Sequence, residues 1–319
     1  MNIVILDAYT TNPGDLNWDG LKKLGKVTMY DRTSEEQVIS RAKGADILIS
    51  NKVVFDRKTL LELPDLKCIC VLATGYNNVD VEFAKEQNIS VSNVVGYSTD
   101  SVAQHVFALI LALTNRVETH SLDVDKGSWE NAKDWTYQLF PLIDLNGKTL
   151  GIYGFGKIGQ RVGEIGKSFG MKIISAHKHP QRDKKEWVEF VTENELFLRS
   201  DFLTLHASLN ASNEFFVNET TLGLMKKTAF LINTGRGGLI NEKDLKETLE
   251  NNKIAGAGLD VLSTEPPKNG NILIGTKNCL ITPHQAWGSF QSRKQLIEET
   301  TLNVKAFIDG KPRNVVNLL

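Results

Sequence analysis

Three polar residues follow apolar runs in the second half of the chain. They are Arg236 in "FLINTGRGGLINEKDL", Glu265 in "AGAGLDVLSTEPPKN" and His284 in "CLITPHQAWG". Each run reads as a strand, and each residue lies in a rigid Gly- or Pro-rich loop at the same strand end. An arginine there points into the crevice where parallel sheets bind ligands, and its planar fork suits a carboxylate. Glu265 and His284 can form a carboxylate–imidazole pair. Such a carboxylate fixes the ring tautomer and favours the charged ring, so the histidine can carry a proton near neutral pH. Singly, each residue has a bland reading, as a turn-closing arginine, a loop acid or a strand-end histidine. Together they describe a site that holds an organic acid and moves a proton on it.

A second pattern lies upstream. "TLGIYGFGKIGQRVGEIGKSFGMKIISA" carries Gly154, Gly156 and Gly159 in G-x-G-x-x-G spacing, with Lys157 and Ile158 inside the turn. An apolar strand runs into it. Ile158, Val162, Ile165 and Phe169 then repeat at helical spacing before a second strand. This is a dinucleotide-binding turn, in which backbone N–H groups at a helix start face a pyrophosphate. An acid about 20 residues on normally reads the adenosine ribose. Here that place holds Ala176-His177-Lys178, opening the cationic stretch "AHKHPQRDKK". Cations where an NAD-reading acid belongs suggest that His177, Lys178 and Arg182 meet the 2′-phosphate of NADP. The cofactor is therefore NAD or NADP, with NADP favoured. His177 and His179 lack further ligands, and no CxxC or HxxxH pattern occurs, so no metal site is expected.

The elements that must position these groups alternate. "NIVILD", "ADILIS", "KCICVLA" and "ISVSNV" read as strands separated by helix-like stretches, one opening at Ser34 as N-cap. A long apolar helix is predicted over 100–124, followed by a polar segment with Trp129 and Trp135. From Lys148 the alternation restarts with "TLGIYG", "KIISA", "EFVT", "DFLTLHA", "TAFLINT", "IAGAGLDV" and "CLITP", and a helix over 292–311 closes the pattern. Regular β–α alternation implies parallel sheets covered by helices. The 319 residues suffice for two domains.

Composition narrows the class. With 37 basic and 38 acidic side chains, the chain is not built to wrap nucleic acid or coat an anionic membrane. No apolar run approaches the roughly 18–20 residues of a membrane span, and "MNIVILDAY" begins like a strand rather than a secretory signal. Cys68 and Cys70 share one face of a strand and Cys279 is far away in sequence, which reads as buried thiols in a reducing cytoplasm.

"GIYGFGKIGQRV", "INTGRGGLINEKDL", "GAGLDVLSTEPP" and "TPHQAWG", in this order, resemble the D-isomer-specific 2-hydroxyacid dehydrogenase family. The likeness covers nearly the whole chain from "VLATGYNNVD" onward. It implies that Arg236 holds the substrate carboxylate and polarises the keto group, that His284 donates the proton, and that Glu265 orients His284. It also implies that the backbone of Ala73, Thr74 and Gly75 grips the carboxylate, and that Asp260 contacts the nicotinamide carboxamide. His206, Ala207, Asn213 and Thr234 fall at cofactor-loop positions; for His206 a buried, hydrogen-bonded ring is an equal alternative. Ser208 and Asn213 stand where the family often has Pro and Thr. The implied architecture is two doubly wound domains. Residues 1–100 plus 286–319 form a flavodoxin-like substrate domain, into which a Rossmann cofactor domain over 101–285 is inserted. Within the family the motifs look most like the glycerate dehydrogenases, the hydroxypyruvate reductases. The implied reaction is NAD(P)-dependent reduction of a small 2-oxo acid to its D-2-hydroxy acid. Glyoxylate, phenylpyruvate or D-lactate chemistry, or a non-catalytic dinucleotide sensor, are the alternatives. A homodimer is expected, with segment 127–146 reaching across it and Trp135 near the partner's active site.

Overall fold

The structure is a computed structural model that describes residues 1–317; the last two residues of the chain lie outside the described residues. It consists of two compact units, residues 1–98 with those from 288 on, and residues 99–287.

The first unit is built on five parallel strands: β1 (Asn2–Ile5), β2 (Lys26–Met29), β3 (Ile47–Ser50), β4 (Cys68–Val71) and β5 (Ser90–Ser92). Their order is β2-β1-β3-β4-β5, the flavodoxin-like order. "ILIS" and "CICV" are wholly buried, because a parallel sheet is covered on both faces. Leu6, Leu48, Phe55, Ile69 and Phe83 lie in one core cluster. The Cys68 and Cys70 sulfurs face the same side, 3.8 Å apart. The sequence reading missed β2. It is an edge strand with three exposed residues in "KVTM", so burial imposes no apolar pattern on it. The helix Phe290–Ile308 belongs to this unit and buries Leu296 and Val304.

The second unit carries seven parallel strands: β6 (Thr149–Tyr153), β7 (Lys172–Ala176), β8 (Val188–Phe190), β9 (Phe202–Leu205), β10 (Phe230–Asn233), β11 (Gly256–Leu259) and β12 (Cys279–Ile281). Their order is β12-β11-β10-β9-β6-β7-β8, so the chain reverses its winding between β6 and β9, a Rossmann arrangement. Alternate residues serve opposite faces. Leu203, Leu205 and Leu231 enter one core, while Phe202, Phe230 and Ile232 enter the other with Ala103, Val106 and Ile110. The single helix expected over 100–124 is two, Thr99–Thr114 and Val117–Asp125. Arg116 breaks it in left-handed conformation (φ 48°), and its guanidinium lies 4.0 Å above the Phe140 ring. The apolar stripe that holds the first helix ends at Thr114, and the second helix buries no residue.

Candidate active site

The glycine turn joins β6 to the helix Lys157–Ser168, whose N-cap is Gly156. Gly154 has φ 91°, and a Cβ there would lie 2.6 Å from the Ala207 nitrogen. A Cβ on Gly159 would meet the Gly154 carbonyl at 2.2 Å, so helix and turn pack too closely for any side chain. At Gly156, by contrast, a Cβ would meet nothing within 4 Å. No side chain caps this helix start, so its first N–H groups face open space. Close packing behind the turn and room in front of it fit a dinucleotide pyrophosphate. Lys157 is exposed and Ile158 is partly buried against the core.

The cationic stretch after β7 is not a row of unpaired charges. His177 Nε2 lies 2.6 Å from Asp183 Oδ2, and Arg182 Nη2 lies 2.6 Å from the same oxygen. Hydrogen bonds from Arg182 and His177 hold the Asp183 carboxyl down to about 2. The sequence reading placed no acid here, because Asp183 reaches His177 only when the loop turns back. Lys178 is exposed.

After β9, the His206 N–H donates to the Tyr153 carbonyl at 2.7 Å. Its Nε2 is paired with the Thr204 hydroxyl, and enclosure of the ring pushes its pKa down to about 3. Ala207 supplies the backbone that abuts Gly154. The Asn213 side chain closes its own loop, accepting from the Asn210 N–H at 2.8 Å and donating to the Ser208 carbonyl at 2.9 Å. Thr234, after β10, has a buried hydroxyl with no partner among the described residues.

Arg236 leaves β10 on a turn that Asn233 ties at both ends. The Asn233 side chain accepts from the Gly235 N–H and donates to the Arg236 carbonyl, each at 2.9 Å. Arg236 Nη1 donates to the Gly235 carbonyl at 2.8 Å. The neighbouring strands β11 and β12 bring Glu265 and His284 together. Glu265 Oε2 lies 2.5 Å from His284 Nδ1, while Oε1 accepts from the Leu262 N–H at 2.9 Å. His284 Nε2 has no hydrogen-bond partner among the described residues and is the nitrogen left for a ligand.

His284 is itself left-handed (φ 52°), an uncommon conformation for a residue with a Cβ. Asp260 holds it there. The Asp260 Oδ1 accepts from the Thr282 hydroxyl at 2.6 Å and the Gln285 N–H at 2.9 Å, and its Oδ2 accepts from the Ala286 N–H at 2.8 Å. The His284 N–H bonds the carbonyls of Asp260 and Thr282, each at 2.9 Å. His105 Nε2 joins this network at Thr282, at 2.9 Å. Both Asp260 oxygens are thus engaged within the loop, a role that the sequence reading did not see.

In the first unit, Ala73, Thr74 and Gly75 form the turn after β4. The Thr74 hydroxyl donates to the Val94 carbonyl at 2.9 Å, and Asn93 Nδ2 donates to the Thr74 carbonyl at 2.6 Å. The N–H groups of the three residues have no acceptor among the described residues, which suits an anion-binding nest.

Residues 107–286 match the family model described as "D-isomer specific 2-hydroxyacid dehydrogenase, NAD binding domain". The chain is 44% identical to a hydroxypyruvate reductase of Blautia hydrogenotrophica, over 99% of this chain and 100% of the relative. It is 38% identical to a glycerate dehydrogenase of Methylorubrum extorquens, over 90% of each chain. Among solved structures, an acyclic imino acid reductase in complex with NADPH and D-Arg superposes with a TM-score of 0.88, at 33% identity over 99% of this chain and 100% of that one. With matches of this identity and length, and a Glu265–His284 pair beside the glycine-turn sheet, the chain belongs to the D-isomer-specific 2-hydroxyacid dehydrogenases.

Proposed function

We propose that this protein reduces a small 2-oxo acid, hydroxypyruvate first, to the D-2-hydroxy acid. The observation that carries the reading is the 2.5 Å Glu265–His284 contact with Nε2 left for a ligand. The 44% identity to a hydroxypyruvate reductase supports the substrate. A bound reduced nicotinamide dinucleotide supplies the hydride to the keto carbon. Arg236 pairs with the substrate carboxylate and polarises the keto oxygen. His284 gives that oxygen its proton from Nε2, and Glu265 neutralises the charged ring and fixes its orientation. In the first unit, the N–H groups of Ala73, Thr74 and Gly75 suit an anion such as a carboxylate. The glycine turn with Thr234 binds the dinucleotide, and the exposed Lys178 takes the 2′-phosphate, so that NADPH is used.

A panel of 2-oxo acids with NADH and NADPH in parallel tests the reading. Hydroxypyruvate should give the highest kcat/KM. His284→Ala should lower kcat by about 10²–10⁴-fold with dinucleotide affinity kept, the usual share of general acid catalysis. Activity within a few-fold of the wild type would remove His284 as the proton donor.

The reading includes a homodimer in the cytoplasm. The helix Val117–Asp125 buries none of its residues, and Trp135 is 95% exposed, with Trp129, Leu139 and Leu142 also exposed. Apolar surface of this kind suits a second copy. Light scattering at micromolar concentration should give twice the chain mass; a monomer overturns it. Three free cysteines fit a reducing compartment, and among the described residues no helix is long and apolar enough to cross a membrane.

A further inference from the structure

His177 stands where the sequence suggests a phosphate ligand, but both ring nitrogens are already in use. Nδ1 accepts from the backbone N–H of Phe155 at 3.0 Å. A nitrogen that accepts carries no proton, so the ring proton sits on Nε2, directed at Asp183 Oδ2 at 2.6 Å. Arg182 holds the same carboxylate, with Nη2 2.6 Å from Oδ2 and Nε 3.1 Å from each of the two oxygens. The His177 side chain is only 9% exposed. Its ring is seated by Phe190, with centroids 6.3 Å apart and planes at 29°, and by Phe155, at 6.4 Å and 67°. Phe155 is the residue between Gly154 and Gly156. The bond from its N–H therefore acts on the glycine turn itself.

We propose that His177 is a positioning residue: with Asp183 and Arg182 it clamps the Phe155 N–H and so sets the glycine turn, leaving Lys178 as the side chain that distinguishes NADPH from NADH. The inference rests on the reading that this turn binds a dinucleotide. A carboxylate at the end of the second strand would accept hydrogen bonds; the imidazole supplies that acceptor here with a neutral atom. The part of the cofactor affected is the pyrophosphate, which NADH and NADPH share. His177 thus contributes to affinity for both and to discrimination between neither.

The test measures dissociation constants of NADH and of NADPH by fluorescence titration of the full-length protein, and hydrogen exchange at the Phe155 amide without cofactor. His177→Leu should weaken both dinucleotides about threefold to tenfold, the worth of one neutral hydrogen bond. Their ratio should stay within about twofold, and the Phe155 amide should exchange faster. In His177→Asn, Oδ1 can stand where Nδ1 stands, which should restore most of both affinities and the amide protection. Lys178→Ala should weaken NADPH alone. A loss confined to NADPH in His177→Leu would make the histidine a phosphate ligand and overturn the clamp. Unchanged affinities with unchanged Phe155 exchange would overturn it as well. If melting shows that His177→Leu does not fold, Asp183→Asn takes its place, with the same expected loss of Phe155 protection and the same overturning results. A wild-type protein with no affinity for either dinucleotide would sink the cofactor reading, while Phe155 exchange would still decide the clamp.

Discussion

Asp7 and Asp260 do the same mechanical work in different units. Asp7, beyond β1, accepts from the backbone N–H groups of Asn51 (2.9 and 3.1 Å) and Lys52 (2.7 Å), which follow the neighbouring strand β3. Asp260, beyond β11, accepts from Gln285 and Ala286, which follow the neighbouring strand β12. Each side chain is nearly sealed from water, at 6% and 1% exposure. The difference lies in what is held. The Asn51–Lys52 loop contains no left-handed residue, whereas the Asp260 loop contains His284 at φ 52°. A left-handed residue with a Cβ costs about 1–2 kcal/mol, and Asp260 has a third donor, the Thr282 hydroxyl, with His105 behind it. The Asn51–Lys52 loop is tied by its amides, with the Ser50 side chain a further group on the Asp7 carboxylate. The loop that carries His284 in a strained conformation is tied by a network.

Removing Asp260 should therefore have the largest effect. Asp260→Ala leaves the Thr282 hydroxyl and the Gln285 and Ala286 amides without their acceptor, and a buried unpaired donor costs about 1–3 kcal/mol. The His284 turn should relax, with kcat for hydroxypyruvate reduction falling by about 10²-fold or more and the melting temperature dropping. Steady-state kinetics checks this, and a kcat within fivefold of wild type would break the comparison. Asp7→Ala should cost about 1–3 kcal/mol of stability by denaturant titration, yet leave kcat of the folded enzyme within about threefold. A kcat loss like that of Asp260→Ala would erase the distinction between the two loops.

Acid sharpens the contrast, because two desolvated groups respond to it with opposite sign. His206, with its pKa pushed from 6.5 to about 3 by desolvation, stays neutral in the fold while the unfolded chain protonates. Its contribution to stability is full above the unfolded value and is lost as pH falls from there toward about 3, by at most about 1.4 kcal/mol per pH unit. His206→Asn should flatten the fall in melting temperature between pH 6 and pH 4. Asp7 behaves in reverse. Burial raises its carboxyl above the ordinary value against the bonds from Asn51 and Lys52, so its contribution falls as pH rises through the folded-state value. Asp7→Asn should thus compare better with wild type at neutral pH than below 3.8, where the contribution is full. This is the smallest of the four effects, and a melting-temperature difference that moves the other way would reverse the assigned sign.

Much of the site is legible in the chain because its signals are local. Gly154, Gly156 and Gly159 announce a turn by spacing, and Arg236 and Glu265 follow strands buried on both faces, while His284 follows the short apolar edge strand β12. What escapes is whatever depends on a return in space. Asp183 meets His177 only once the loop folds back, and nothing in "HKHPQRD" distinguishes that acid from a solvated one. Asp260 lies inside "GLDV", where its burial is readable but its bonds to amides 25 and 26 residues later are not. β2 escapes because an edge strand needs no apolar alternation. The break at Arg116 escapes because the helical pattern of "VAQHVFALILAL" fades into its flank without a proline or glycine.

The first unit is assembled from two separated stretches of chain, and this matters while the protein is being made. Residues 99–287 are contiguous, so the second unit has all its parts as soon as Trp287 has left the ribosome. The first five strands must wait longer. Val316 donates its N–H to the Val91 carbonyl at 2.8 Å, and the Asn317 side chain accepts from the Val91 N–H and donates to the Ile89 carbonyl, each at 2.8 Å. These bonds cover the outer edge of β5, and an uncovered edge is a template for pairing with other chains. The nascent protein thus carries a bare strand edge from the emergence of β5 until residues 314–317 dock, and that interval is its period of greatest exposure to aggregation.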